Sequence, residues 1–304
     1  MRRTVLAIGL PAVVLIASCE DYPTPPDPPK RILPSTLLLW RDSTTHHNAR
    51  PAVGDTAVYV LSRTSDATDP FNSTSHQVTA YAKQNGMVLW RAVLPVTNSA
   101  RIGYGLLVIG NVLVVGDGDL FGINTGNGSL LWRYVPSVGR FPGYFLQATD
   151  GQTVYAGGSH VFAVDVVSGS EKWVTAIDTG DNVRVFSPVV RDSVVYVAAS
   201  SSSFTIMADI GSVAALSKTT GEPYWITRLE PAAAGLNTTT EGVAVTDDKV
   251  VAAVHGGPVF GLDRVTGLIV DTLPAATFVS PGINPQASLF YVYGAGAYVL
   301  SDPR

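Results

Sequence analysis

The chain has 304 residues, of which 46% are hydrophobic and only 14% charged, with 29 glycines, 20 prolines and one cysteine. Charged residues make up about a quarter of an ordinary soluble domain, so a coiled coil or long disordered tail is excluded, and many short buried segments joined by Gly and Pro turns are indicated, an all-β pattern. Six more acidic than basic residues remain once Arg2 and Arg3 are set aside, which speaks against nucleic acid as a partner.

Arg2 and Arg3 precede an apolar run from Val5 to Ile16, too short to span a bilayer. A basic start, a short apolar stretch and small residues before a cut describe a secretory signal over residues 1–18. The segment Ile16-Ala17-Ser18-Cys19 resembles the lipobox of bacterial lipoproteins, which implies that Cys19 becomes a lipidated N-terminus. An ordinary signal peptide is the alternative. With the single cysteine assigned to the anchor, disulfides, thiolate zinc sites and cysteine nucleophiles drop out of the mature domain. Residues 19–31 form a tether with five prolines between Pro23 and Pro29, a stiff spacer holding the domain roughly 30 Å off a membrane.

From residue 32 to 304 the chain repeats itself. Gly86, Gly128, Gly169, Gly221 and Gly267 mark the copies, and four residues after the first four stand Trp90, Trp132, Trp173 and Trp225. Six residues before each glycine is a small residue (Ala80, Gly122, Ala163, Ala215, Gly261), and five before is a large one (Tyr81, Ile123, Val164, Leu216, Leu262). Four before stands Ala82, Asn124, Asp165, Ser217 or Asp263. Paired short strands lie upstream, at 51–60, 106–115, 148–157, 188–198 and 243–254. A unit of three strands, a Gly turn and a fourth strand, recurring every 40 to 50 residues, predicts β-propeller blades.

A sixth copy, residues 280–302, supplies three strands. The missing outer strand is predicted at the other end, where Leu39-Trp40-Arg41 matches Leu89-Trp90-Arg91. A ring of six blades, with seven as the alternative count, would then close through its N-terminal strand and leave no open edge. The fifth copy has Asp271 where Trp belongs, so its packing is predicted to be the loosest.

The stretches from Val161 to Trp173 and from Leu120 to Trp132 resemble the pyrroloquinoline-quinone-type propeller repeat, with its small-residue, Asp, Thr-Gly and Trp pattern. The resemblance implies an architectural role for the repeat residues: the tryptophan docks on the neighbouring blade, the glycine permits the turn, and the small residue lets strands pack closely.

In such a fold the loops joining the first strand to the second and the third to the fourth share one face, and here they are tight. The other face carries insertions at 62–77 and 200–211 and the connections 97–104, 136–145, 178–186 and 230–241, which makes it the candidate binding face. Before the innermost strand of three successive blades stand Arg101 with Tyr104, Arg140 with Phe141 and Tyr144, and Arg184 with Phe186. They either converge to read a carboxylate, a phosphate or an acidic and aromatic partner loop, or are solvated arginines beside core-capping rings.

Catalytic signals are poor. His46, His47, His76, His160 and His255 follow no metal-ligand spacing. Asp119 and His160 occupy equivalent loops of neighbouring blades without a supporting motif, and 116–119 (GDGD) is better read as a hairpin turn than as half a calcium loop. No serine elbow or phosphate loop is present. No catalytic residue, metal or cofactor is therefore assigned.

In organisation the chain is similar to the propeller lipoproteins of the outer-membrane β-barrel assembly machinery, which join a lipobox, a tether and this repeat around eight blades. That resemblance implies a non-enzymatic, membrane-anchored scaffold or assembly factor of the bacterial envelope with a protein partner. The alternatives are a pyrroloquinoline-quinone-dependent dehydrogenase, a class about twice this length with adjacent cysteines, and a small-ligand-binding sensor propeller.

Overall fold

The computed structural model describes residues 39–41, 51–66, 69–95, 105–136, 138, 148–179, 181–186, 188–203, 208–229, 240–254, 258–273, 280–284, 289–293 and 298–300. The predicted signal peptide, Cys19 and the tether lie outside them. Every regular element is a strand, and among the described residues the strands form six antiparallel sheets in chain order. Sheet 1 comprises β1 (Ala52–Val53), β2 (Ala57–Asp66), β3 (Asp69–Ala82) and β4 (Val88–Leu94). Sheet 2 comprises β5 (Gly105–Ile109), β6 (Val112–Asp117), β7 (Asp119–Asn124) and β8 (Leu130–Tyr134). Sheet 3 has β9 (Ala148–Thr149), β10 (Thr153–Gly157), β11 (Val161–Asp165) and β12 (Glu171–Thr175). In sheet 4 the inner strand is split into β13 (Asp181–Val185) and β14 (Val189–Arg191), followed by β15 (Val194–Ser203), β16 (Ala208–Ser217) and β17 (Pro223–Leu229). Sheet 5 has β18 (Thr240–Val245), β19 (Lys249–Val254), β20 (Val259–Asp263) and β21 (Ile269–Leu273). Sheet 6 has β22 (Ser280–Asn284), β23 (Leu289–Tyr293) and β24 (Tyr298–Leu300).

Alternation along the strands divides the core into seams between consecutive sheets. Leu113 and Val115 of β6 pack with Leu61, Val78 and Ala80 of sheet 1. Val112 and Val114, one step out of phase, pack with Val154, Phe162 and Val164 of sheet 3. Both faces of the middle strands are therefore apolar, which explains their near-continuous hydrophobic runs.

The glycine turn before the outer strand is built the same way five times, before Trp90, Trp132, Trp173, Trp225 and Asp271. The glycine N–H donates to the carbonyl four residues back, as Gly128 does to Asn124 at 2.9 Å and Gly267 to Asp263 at 2.9 Å. That closure needs a positive φ, and Gly128 has φ 75°, a region a side chain disfavours. Asp165 Oδ1 accepts from the Val167 and Ser168 N–H groups at 3.1 and 2.9 Å, and Asp263 Oδ1 from Val265 and Thr266 at 3.1 and 2.7 Å, the Asx turn that makes Asp and Asn frequent there. The Ser168 amide in the first case, and the Thr266 amide in the second, leads in holding these carboxyls below their usual range.

The tryptophans then fasten one sheet to the next. Nε1 of Trp90 donates to the Thr125 carbonyl at 2.9 Å, Trp132 to Val166 at 2.9 Å, Trp173 to Lys218 at 3.0 Å and Trp225 to Arg264 at 3.2 Å. Each acceptor lies three residues before the next sheet's turn glycine, and each indole lies over that glycine. Trp40 makes the same contact with sheet 1, donating to the Lys83 carbonyl at 3.0 Å and covering Gly86. It therefore sits where the outer strand of a preceding blade would place it. No pairing between β24 and residues 39–41 is present among the described residues.

At Asp271 the lock is replaced. Its carboxylate pairs with Lys249, and all five residues of β21 are exposed.

Candidate docking face

The two ends of the seams differ chemically. At the tight-turn end, ion pairs cross between sheets: Lys218 to Asp150 at 3.6 Å, Arg264 to Asp192 at 3.3 Å, and Arg191 to Asp247, with Arg191 also donating to the Val245 carbonyl at 2.9 Å. Burial tends to raise the Asp150 carboxyl, but the Thr153 and Gln152 amides, the Tyr155 hydroxyl and Lys218 outweigh it and hold the group below its usual value.

At the opposite end, where the second and third strands meet, buried polar side chains replace the apolar core. His76 in the middle of β3 and Asp117 at the end of β6 are 1% and 0% exposed as side chains and bond through Nδ1 and Oδ2 across the seam between sheets 1 and 2. Between sheets 4 and 5, the Thr240 N–H donates to Ser200 Oγ at 3.2 Å, and both residues are buried. Ser201 Oγ donates to Asp178 Oδ2 at 2.7 Å, tying β15 to the connection that enters sheet 4.

In the stretches predicted as loop insertions at 62–77 and 200–211, the described residues 62–66, 69–77, 200–203 and 208–211 are strand. The β2–β3 ladder continues to Asp66 opposite Asp69, and β15–β16 continues to Ser203 opposite Ala208. Serine and threonine there tolerate extension because the ladder satisfies their backbone groups. Within the connection 178–186, β13 adds onto the upper half of β15, Arg184 opposite Ser200 and Val185 opposite Ala199. It is seated by Gly157 and Gly158. The Val185 N–H donates to the Gly158 carbonyl at 2.6 Å, and a Cβ on Gly157 would lie 2.3 Å from the Val185 carbonyl oxygen.

Of the seven residues predicted to converge on this face, Arg101, Tyr104, Arg140, Phe141 and Tyr144 lie outside the described residues. Arg184 is on β13 and exposed. Phe186 is a correction: at 5% exposure its ring belongs to the apolar cluster between sheets 4 and 5. Alternation puts position 186 on the seam side once β13 is a strand, so that ring is not offered to a partner.

Asp119 and His160 do not share a site. Asp119 takes the Arg133 guanidinium at 2.5 Å, and His160 Nδ1 contacts Ser159 Oγ at 3.0 Å beside the Phe162 ring, where burial pushes its pKa down. Among the described residues no three His, Cys, Asp or Glu side chains group as a metal site.

The His76–Asp117 pair was missed from sequence. The usable signal was phase: His76 alternates with Val78 and Ala80, and Asp117 with Leu113 and Val115, so both had to enter the same seam.

A family model described as outer membrane protein assembly factor BamB matches residues 34–212. No curated protein sequence matches the chain. Among solved structures, the quinohemoprotein alcohol dehydrogenase ADHIIG of Pseudomonas putida HK5 is 15% identical with a TM-score of 0.59, over 86% of this chain and 52% of that one. The quinohemoprotein alcohol dehydrogenase of Comamonas testosteroni is 15% identical with a TM-score of 0.56, over 82% and 51%. BamB of Moraxella catarrhalis is 17% identical with a TM-score of 0.44, over 79% of each chain. The chain spans about half the length of the two dehydrogenases, and likeness at these identities shows the fold alone, a β-propeller of quinoprotein-type repeats.

Proposed function

Because the chain belongs to the outer membrane protein assembly factor BamB family, we propose that it is a bacterial envelope scaffold which docks another envelope protein on the face carrying the long hairpins. The observation that carries this reading is the family match over residues 34–212, which takes in β2, β3, β13, β14, β15 and the first half of β16 on that face. In the proposal residues 1–18 are removed, Cys19 is lipidated, residues 19–31 hold the ring off the membrane, and residues 39–41 supply the outer strand of the sixth blade.

The geometry of the face supports it. Arg184 is exposed on a strand anchored at Gly158, Ser200 and Ala199, so a charge is presented without the entropic cost of ordering a loop. Arg101, Tyr104, Arg140, Phe141 and Tyr144 belong to the same proposed surface.

The test is cross-linking of the native lipidated protein in its own membranes, with mass spectrometry of the attached chain and residues. One envelope protein joined through the long-hairpin face is the expected result, and attachment through the tight-turn face overturns the reading. The dehydrogenase alternative shares the fold. Added pyrroloquinoline quinone and calcium with alcohols or aldose sugars should give no dye reduction, and reduction would establish that alternative.

A further inference from the structure

The residue before the turn glycine is Asn85 in sheet 1 and Asn127 in sheet 2, against Ser168, Thr220 and Thr266 in the next three. These are the chain's two Asn-Gly pairs, and both asparagines are exposed. In such a pair the glycine amide nitrogen can attack the asparagine side-chain carbon, because the glycine has no Cβ to stand in the way. The N–Cγ bond forms, the Cγ–Nδ2 bond breaks, and ammonia leaves carrying the proton of the glycine amide. Water then opens the cyclic imide on either side, giving aspartate or a β-linked isoaspartate that lengthens the backbone by a methylene.

The turn brings the reactants together and restrains them at once. Asn85 Oδ1 accepts from the Met87 N–H at 3.0 Å and Asn127 Oδ1 from the Ser129 N–H at 3.0 Å, so each side-chain amide is strapped across the glycine peptide that would attack it. The attacking nitrogens are engaged elsewhere. The Gly86 N–H donates to the Ala82 carbonyl at 2.8 Å and the Gly128 N–H to the Asn124 carbonyl at 2.9 Å. An indole covers each glycine: a Cβ on Gly86 would lie 2.6 Å from Trp40 Cδ2, and one on Gly128 2.6 Å from Trp90 Cε3. Ring closure requires the glycine nitrogen to leave its carbonyl and its peptide plane to turn, and the indole occupies the space for that turn.

The two guards are unequal. Trp90 is 8% exposed and belongs to β4, which is paired along β3. Trp40 is half-buried, and residues 39–41 form no strand. Local opening is easiest where a segment has the fewest bonds of its own.

We propose that Asn85-Gly86 and Asn127-Gly128 are deamidation sites gated by the indole lying on each glycine, and that Asn85, beneath Trp40, is the more reactive. The reaction acts in one direction. An isoaspartate puts an extra methylene and a negative charge into the turn whose Lys83 carbonyl holds Trp40, so an opening at Trp40 becomes a lasting loss of that contact.

The test is ageing of the purified full chain in mildly alkaline buffer, with peptide mass spectrometry of acid formation at each asparagine and chromatographic separation of isoaspartate. Each rate is divided by the rate of the same residue in the urea-unfolded chain, which removes the effect of neighbouring sequence. Folding should slow Asn127 by at least about tenfold and Asn85 by several-fold less. Trp40→Phe keeps an apolar ring but removes the N–H donor. It should speed Asn85 by about threefold to tenfold and leave Asn127 unchanged, and Trp90→Phe should do the reverse. Equal protection of the two asparagines, or a variant that speeds both alike or neither, overturns the gating. Should Trp90→Phe not fold, the wild-type ratio and Trp40→Phe decide. In the Asn85-deamidated fraction, separated by its added charge, the backbone amides of residues 82–87 should exchange hydrogen faster than in the intact chain, and unchanged exchange overturns the loss of the Trp40 contact.

Discussion

The Trp90 indole donates to the Thr125 carbonyl at 2.9 Å and lies across Gly128, where an added Cβ would come 2.6 Å from Trp90 Cε3. One side chain therefore satisfies a turn carbonyl, fills the seam and uses the space that glycine leaves. Trp90→Ala should cost about 3–5 kcal/mol, the scale of large aromatic truncations in a core. Gly128→Ala should cost about 1–3 kcal/mol from overpacking and the disfavoured φ. Because both changes damage one contact, the double variant should lose less than their sum. Urea unfolding of the three variants checks this, and full additivity would mean that the indole and the glycine act separately.

A contrasting expectation holds where the repeat breaks. Asp271 pairs with Lys249 on a solvent-exposed strand, and the carboxylate raises the ammonium pKa. A pair of this kind contributes little because both groups are hydrated and screened. Lys249→Ala should leave the melting temperature within experimental error at physiological salt, while Trp90→Ala lowers it by many degrees. A large loss on Lys249→Ala would mean that the pair stands in for the missing indole.

Much of this architecture was legible in the sequence because a propeller repeats each constraint. Gly86, Gly128, Gly169, Gly221 and Gly267 all adopt positive φ, and the small residue six positions earlier makes room for the blade's own tryptophan, as Gly122 does for Trp132. The docking face has no such repetition. The β13 strand depends on Gly157 and Gly158 of another sheet, and the burial of Phe186 depends on β13, so neither follows from local spacing. His76 and Asp117 are 41 residues apart in segments that look like ordinary hairpin ends, and only their shared phase with the core connects them.

Asp150 gives a pH expectation at the tight-turn end. Its carboxyl is held below the usual value chiefly by the Thr153 and Gln152 amides acting against burial. A depressed carboxyl stabilises the folded state above the ordinary carboxylate range, and that contribution disappears as pH falls through the folded value. Asp150→Asn should therefore cost about 1 kcal/mol at neutral pH, mostly through the backbone bonds, since the Lys218 pair is partly solvated. The gap between wild type and variant should close below about pH 4. Chemical denaturation at several pH values measures it, and a gap that widens in acid would reverse the assignment.

Arg184 is the docking-face residue that can be tested against a clean control. It is exposed on β13, and its neighbours in the ladder are held by their own bonds, so a charge change there should not disturb packing. Arg184→Glu should reduce cross-linking to the envelope partner by about tenfold, the scale of one lost charge-assisted contact, with an unchanged melting temperature. Lys83→Glu inverts an exposed charge on the opposite, tight-turn face and should leave capture intact. Raising the salt should weaken wild-type capture and raise the residual capture of Arg184→Glu, because screening reduces an attraction in the first and a like-charge repulsion in the second. Equal loss in both variants would place the partner on no particular face and point instead to attraction by overall charge.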